Sequence, residues 1–284
     1  MRWRGGRRSS NVEDRRGQQP RGRGLKLGGG ATIAVIVIGL LLGADPMQML
    51  NMLGNIDSAS TGSQSSQPLP KNDEQAQFVS VVLADTEDVW NKLFTNSGER
   101  YREPGLVLFT GYVRSACGMQ SAATGPFYCP GDSKVYIDLG FYRQLAQMGG
   151  AGDFARAYVI GHEVGHHVQN LLGTSAQVQR KSRSSSKAVA NALSVLQELQ
   201  ADCYAGVWAH HAEQDRNLLE QGDVEEGLAA AAAIGDDALQ KGAGRPVRPD
   251  AFTHGSSEQR VKWLKRGLRS GRIDQCNTFA EAAH

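Results

Sequence analysis

His162-Glu163-Val164-Gly165-His166 sets two histidines four residues apart with a glutamate beside the first. In a helix that spacing is about one turn, so both imidazoles project from one face, as two ligands of a single tetrahedral zinc ion must. Glu163 would then stand next to the metal as a base that takes a proton from the attacking water, outside the ligand set. The alternative is a helix with two solvent-facing histidines. The flanks argue against it: Phe154, Tyr158, Val159, Ile160, Val164, Val168, Leu171 and Leu172 predict a buried helix, no proline interrupts it, and Gly173 can end it. Gly165 costs about 1 kcal/mol relative to alanine inside a helix, which predicts that another backbone passes close by.

Such a site needs a third ligand. The metzincin pattern would place glycine at 169 and histidine at 172, where this chain has Gln169 and Leu172, so that class is excluded. The other common solution is a glutamate on a second helix, followed four residues later by an aspartate. Glu198-Leu199-Gln200-Ala201-Asp202 fits it, on a helix expected from about Lys187 to Ala212. Glu198 would complete the shell as an oxygen ligand, and Asp202 would accept the free N–H of a ligating histidine and fix its tautomer. Taken alone, such an acidic pair is as well explained by a solvated helix face. His167 points about 100° around the helix from His166, and His210 and His211 lie two or more turns beyond Asp202.

These blocks, with the opening RWRGGRRSSNVEDRRG and the segments GPFYCPGDSKVYIDL, AAAIGDD and FTHGSSEQR, resemble the bacterial neutral zinc metallopeptidase family nearly end to end. More distantly, the order HExxH, ExxxD, then a threonine-histidine block ending in arginine is similar to the integral-membrane peptidases related to HtpX. The resemblance implies a peptidase with one Zn2+ per chain. It also implies that His254 and Arg260 lie beside the metal. Chemistry gives them a use there, because water attack on a peptide carbonyl builds an oxyanion that needs another donor. Otherwise Thr253-His254-Gly255-Ser256 is a helix start with Ser256 or Ser257 as N-cap, and Arg260 is a structural partner of Asp202 or Asp250.

The expected fold class is α+β, mainly helical: a zincin-like (gluzincin) domain with a small antiparallel sheet over the active-site helix. A first helix should start near Asp73 and carry Phe78, Val81, Val82, Val89, Trp90 and Leu93. Strands are expected at Leu106–Val113 and Lys134–Asp138, with turns at Gly125-Pro126 and Pro130-Gly131-Asp132. Resemblance to zincins makes the segment around Val135–Ile137 the edge strand that would pair with a substrate backbone. Tyr204, Trp208 and Trp263 are expected in the core, the Ala229–Ala233 run as a close-packing helix surface, and Asp236 and Asp237 as caps of a short helix or, less simply, a second metal site.

The formal charge of +2 conceals an asymmetry: residues 1–26 carry nine Lys/Arg against Glu13 and Asp14, and the remainder is net acidic. An acidic body argues against nucleic-acid binding by the main domain. Residues 27–44 hold no charge and centre on Ile33, Val35, Ile36, Val37, Ile38 and Leu40–Leu42, just long enough to span a bilayer. Positive charge before that stretch predicts a single-pass protein of the bacterial cytoplasmic membrane, N-terminus inside and catalytic domain outside. Leu42 is too large for a signal-peptidase site, which favours an uncleaved anchor over a cleaved signal peptide. The organisation read this way is a basic cytoplasmic tail (1–26), an anchor (27–44), a flexible linker (45–72) and a metallopeptidase domain (73–284).

Four cysteines without a CxxC pair argue for two disulfides in an exported domain, with three connectivities open; Cys117–Cys129 and Cys203–Cys276 are expected, and free buried thiols are the alternative. Two functions fit. One is zinc-dependent hydrolysis of extracytoplasmic proteins or peptides by a membrane-anchored metalloendopeptidase. The other is a non-catalytic zinc-containing membrane module that binds or regulates a partner protein. Glu163 favours the first, because a degenerate site has no use for the base.

Overall fold

The structure, a computed structural model, describes residues 1–17 and 72–281. Helix α1 (Glu74–Asn96) starts where expected: the Asp73 carboxylate caps it by accepting from the Ala76 amide, and Phe78, Val82, Val89 and Trp90 are buried along one side. Strands β1 (Val12–Asp14), β2 (Gly105–Phe109), β5 (Phe127–Cys129) and β6 (Lys134–Asp138) make one sheet in the order β1-β2-β6-β5. Between β2 and β5 the chain forms a separate antiparallel hairpin, β3 (Tyr112–Ser115) and β4 (Gly118–Ser121).

The sheet departs from expectation in two ways. It is mixed, because β1–β2 and β2–β6 are parallel and only β5–β6 is antiparallel. Parallel pairing requires a long crossover, and α1 and the β3–β4 hairpin lie within the two connections concerned. Val135–Ile137 is also not an edge: β6 lies between β2 and β5, and the edge beside the helices is β5. The single strand expected at Leu106–Val113 is two, broken at Gly111, whose φ of 74° turns the chain.

Residues 1–17 do not form a separate basic tail. Trp3 is buried, edge-on to Phe78 with its indole N–H on Asp153, and β1 adds directly to the sheet. The arginines meet carboxylates of the domain: Arg4 with Glu74, Arg7 with Glu87 and Asp88 at 2.9 and 2.8 Å, and Arg16 with Asp73 at 2.6 Å. Buried Glu87 also accepts from Ser9 and Asn11, so the segment supplies the partners that make its burial tolerable. The charge asymmetry read from the sequence is in large part internal pairing. No helix among the described residues is long and apolar enough to cross a membrane. The expected anchor over 27–44, and all but the last residue of the expected linker, lie outside the described residues.

The helical body follows the sheet. Short helices α2 (Phe141–Gln147), α4 (Thr174–Arg183) and α7 (Asp236–Gly242) connect long ones: α3 (Asp153–Leu171), α5 (Lys187–Arg216), α6 (Asp223–Ala233) and α8 (Ser257–Ser270). The close approach predicted at Gly165 is present, for a methyl there would come within 2.9 Å of the Ala201 carbonyl oxygen on α5. That contact sets α3 and α5 side by side, one turn from His162 on α3 and next to Asp202 on α5. Tyr204, Trp208 and Trp263 are in the core, as are Ala230 and Ala231 of the alanine run. Both expected disulfides form: Cys117–Cys129 joins the hairpin to β5, and Cys203–Cys276 fastens α5 to the C-terminal segment.

Candidate metal centre

Helices α3 and α5 bring His162, His166 and Glu198 together. One ligand atom from each lies within 4.8 Å of the others, and no other such group of His, Cys, Asp and Glu occurs among the described residues. His162 Nε2 is 3.2 Å from one Glu198 oxygen and His166 Nε2 is 3.4 Å from the other. Ligands at about 2.0–2.1 Å from a tetrahedral zinc stand roughly 3.3–3.4 Å apart, so these separations fit that ion.

Each histidine presents Nε2 because its other nitrogen is held. His162 Nδ1 is 2.8 Å from Asp202, as expected from the sequence, and His166 Nδ1 is 2.9 Å from the Gln169 side-chain oxygen Oε1. Gln169, at the position that excludes a metzincin, is fixed by donating to the Gln197 carbonyl and to the Gln200 side chain. Asp202 is fully buried and takes Tyr158 OH at 2.5 Å and both Nε and Nη2 of Arg260 at 2.9 Å. Arg260 is therefore the structural partner of Asp202 and also lies beside the centre, with Nη2 3.2 Å from Tyr158 OH and 3.4 Å from His162 Nδ1, while Nη1 donates to the Ile234 carbonyl. Sequence reasoning missed Gln169 and Tyr158 in these roles, although helical spacing held the signal: they lie three residues after His166 and four before His162.

The electrostatics of the three residues favour positive charge between them. Burial disfavours the His162 imidazolium, but Asp202 and Glu198 outweigh it and push its pKa up to about 10. Burial likewise works against the Glu198 carboxylate, yet the two histidines hold it well below the usual range. The same carboxylates that favour a positive charge on the histidines would favour a divalent cation between these atoms, and its binding would displace any protons they hold. Glu163 is buried in the same cleft and makes no hydrogen bond among the described residues. Its carboxyl is raised above the ordinary range by burial, with both histidines opposing. His167 faces away: Nδ1 meets Tyr128 OH, Nε2 meets the Arg102 carbonyl, and burial lowers its pKa to about 4. It ties α3 to β5.

The centre opens into a cleft of about 790 Å3 lined by Phe127 and Tyr128 of β5, Phe141, Ile234 and Leu239, with His254 at its margin. Asp236 accepts from the amides of Thr253, His254 and Gly255 and holds His254 Nδ1 at 3.2 Å, leaving Nε2 with no hydrogen bond among the described residues. Asp237 takes Ser257, so the pair clamps the start of α8 instead of forming a second metal site. Ser256 caps α8, and the two accounts of the Thr253–Ser256 block hold together: it starts a helix and sets a histidine at the cleft.

The family model described as "Putative neutral zinc metallopeptidase" matches residues 1–279. The chain belongs to this family. The match includes the N-terminal segment that folds onto the domain. The chain is 47% identical to "Uncharacterized protein YpfJ" of Escherichia coli K12, over 99% of this chain and all of that one. It is 38% identical to "Uncharacterized protein Rv2575" of Mycobacterium tuberculosis H37Rv, over 86% of this chain and 85% of the relative. No solved structure matches it.

Proposed function

We propose that the protein is a zinc-dependent endopeptidase of gluzincin type acting on proteins or peptides outside the cytoplasm. The observation that carries this reading is the convergence of His162, His166 and Glu198 in a cleft where Glu163 is buried beside them with no hydrogen bond among the described residues. Held by those three residues, zinc would supply Lewis-acid polarisation of the scissile carbonyl and of the attacking water. Glu163 takes the proton from that water and passes it to the leaving amine, and burial raises its carboxyl above the ordinary range, which favours its acting as a base that can hold the proton. His254, steadied by Asp236, donates from Nε2 to the oxygen on which charge develops. The free edge of β5 runs along the cleft and offers backbone groups to an extended peptide. Two disulfides support an oxidising compartment.

The test is a peptide library incubated with the full-length protein and read by mass spectrometry. Wild type should cut internal bonds, and Glu163→Gln should lose turnover by two or more orders of magnitude, in the range set by a lost general base. A variant that cleaves as well as wild type would refute the peptidase reading and favour a non-catalytic zinc module.

A further inference from the structure

Helix α3 lines the cleft with one stripe of side chains at helical spacing: Val159, His162, Glu163, His166 and Asn170. At a rise of 1.5 Å per residue the stripe runs about 16 Å, the span of roughly five residues of an extended peptide, with the centre at its middle. Val159 stands one turn, about 5 Å, before Glu163. A pocket there is within reach of a side chain that flanks the bond at the centre.

The two ends of the stripe differ. At Val159 the walls are apolar: Phe141 of α2 and Ile234, just after α6, pack against the buried cluster that holds Val159, and all three line the cleft. At Asn170 the walls are neutral and polar. Asn170 donates to Tyr128 OH, and Gln197 of α5 donates to the Ser175 hydroxyl of α4. Charge is scarce at both. The chain has 31 Lys/Arg and 29 Asp/Glu, yet the charged side chains among the described lining residues are Glu163, Glu198 and Arg260, besides the histidines. Glu198 lies between two histidines, and Arg260 is held by Asp202.

We propose that Phe141, Val159 and Ile234 form the specificity pocket, which takes a large apolar side chain of a bound peptide and rejects acidic and basic ones. That the occupant is a peptide rests on the function proposed above; the selection for an apolar group rests on the walls alone. A leucine, methionine or phenylalanine side chain would cover apolar surface on three sides and leave water. A carboxylate or ammonium in the same place would lose its hydration and meet no free counter-ion. The Asn170 end offers hydrogen-bonding groups and makes no such demand, so the selection is confined to one side of the bond.

A randomised peptide library tests this in two arms, with binding to zinc-loaded full-length Glu163→Gln measured apart from cleavage by wild type. Peptides retained by Glu163→Gln should be rich in Leu, Ile, Met and Phe. At wild-type cleavage sites those residues should dominate one flanking position and not the other, with Asp, Glu, Lys and Arg at least about tenfold depleted there. In the Glu163→Gln background, Ile234→Asp should turn the selection toward Lys and Arg. Ile234→Ala, which buries no charge, should relax the preference for large apolar side chains and decides the matter if the aspartate variant does not fold. Apolar selection by Glu163→Gln without cleavage by wild type would uphold the pocket and refute the peptidase. Retained peptides without apolar enrichment, or a profile unchanged in Ile234→Ala, would overturn the pocket.

Discussion

Asp202 receives Tyr158, His162 and Arg260 at once in a site with no water-facing surface. Burial opposes its charge, and Arg260 with His162 restores it, holding the carboxyl below its usual range. Replacing it with asparagine keeps the shape and removes the charge. Arg260 is then a buried cation without its anion, at a cost of about 3–5 kcal/mol. His162 also loses the acceptor that sets its tautomer, which typically lowers metal affinity about 10- to 100-fold. Asp202→Asn should therefore show both a lower melting temperature and weaker zinc binding in a chelator competition; wild-type affinity in a folded variant would show that Asp202 does not orient the ligand. The pair Glu198 and Asp202 was legible from the sequence because helical periodicity places them on one face. Arg260 was legible as a partner of either Asp202 or Asp250, and the packing of α8 on α5 decides for Asp202.

At the scale of elements, β1 is held by ion pairs as well as by its ladder to β2. Asp14 and Asp73 share Arg16. Burial would raise both carboxyls, but hydrogen bonds from Arg16, and from the Ala76 amide to Asp73, keep both below the ordinary range. A depressed carboxyl stabilises the fold above its unfolded value, about pH 4, and that contribution disappears as pH falls through the folded values. Hydrogen exchange at Val12–Asp14 should accordingly be slow at pH 7 and lose protection below about pH 4, before the amides of α3 do. Constant protection across that range, or loosening as pH rises, would contradict the pairing. No sequence pattern announced this strand. It is three residues long, it follows an arginine-rich run that reads as solvated, and its partners in β2 and α1 are far along the chain. The edge strand β5 was hidden for a different reason, being short and bracketed by the turn residues Gly125-Pro126 and Pro130. Long amphipathic helices, by contrast, declared themselves, and their caps at Asp73 and Ser256 were readable.

For the whole molecule, we propose that the N-terminus and the cleft lie on one side of any membrane, because β1 pairs directly with β2. A membrane-impermeant maleimide applied to spheroplasts should label Ser10→Cys and Ser97→Cys alike, both positions being exposed. Labelling at 97 alone would place the N-terminus across the membrane and break the β1–β2 pairing. The central claim is that two helices assemble a zinc site from His162, His166 and Glu198, with Glu163 beside it and not in it. Metal analysis of the purified full-length protein tests this most directly. Wild type, Glu163→Gln and His254→Ala should each carry about one zinc per chain, and His162→Ala, His166→Ala and Glu198→Ala should lose most of it. Zinc retained without the histidines, or lost from Glu163→Gln or His254→Ala while Glu198→Ala keeps it, would contradict the assignment.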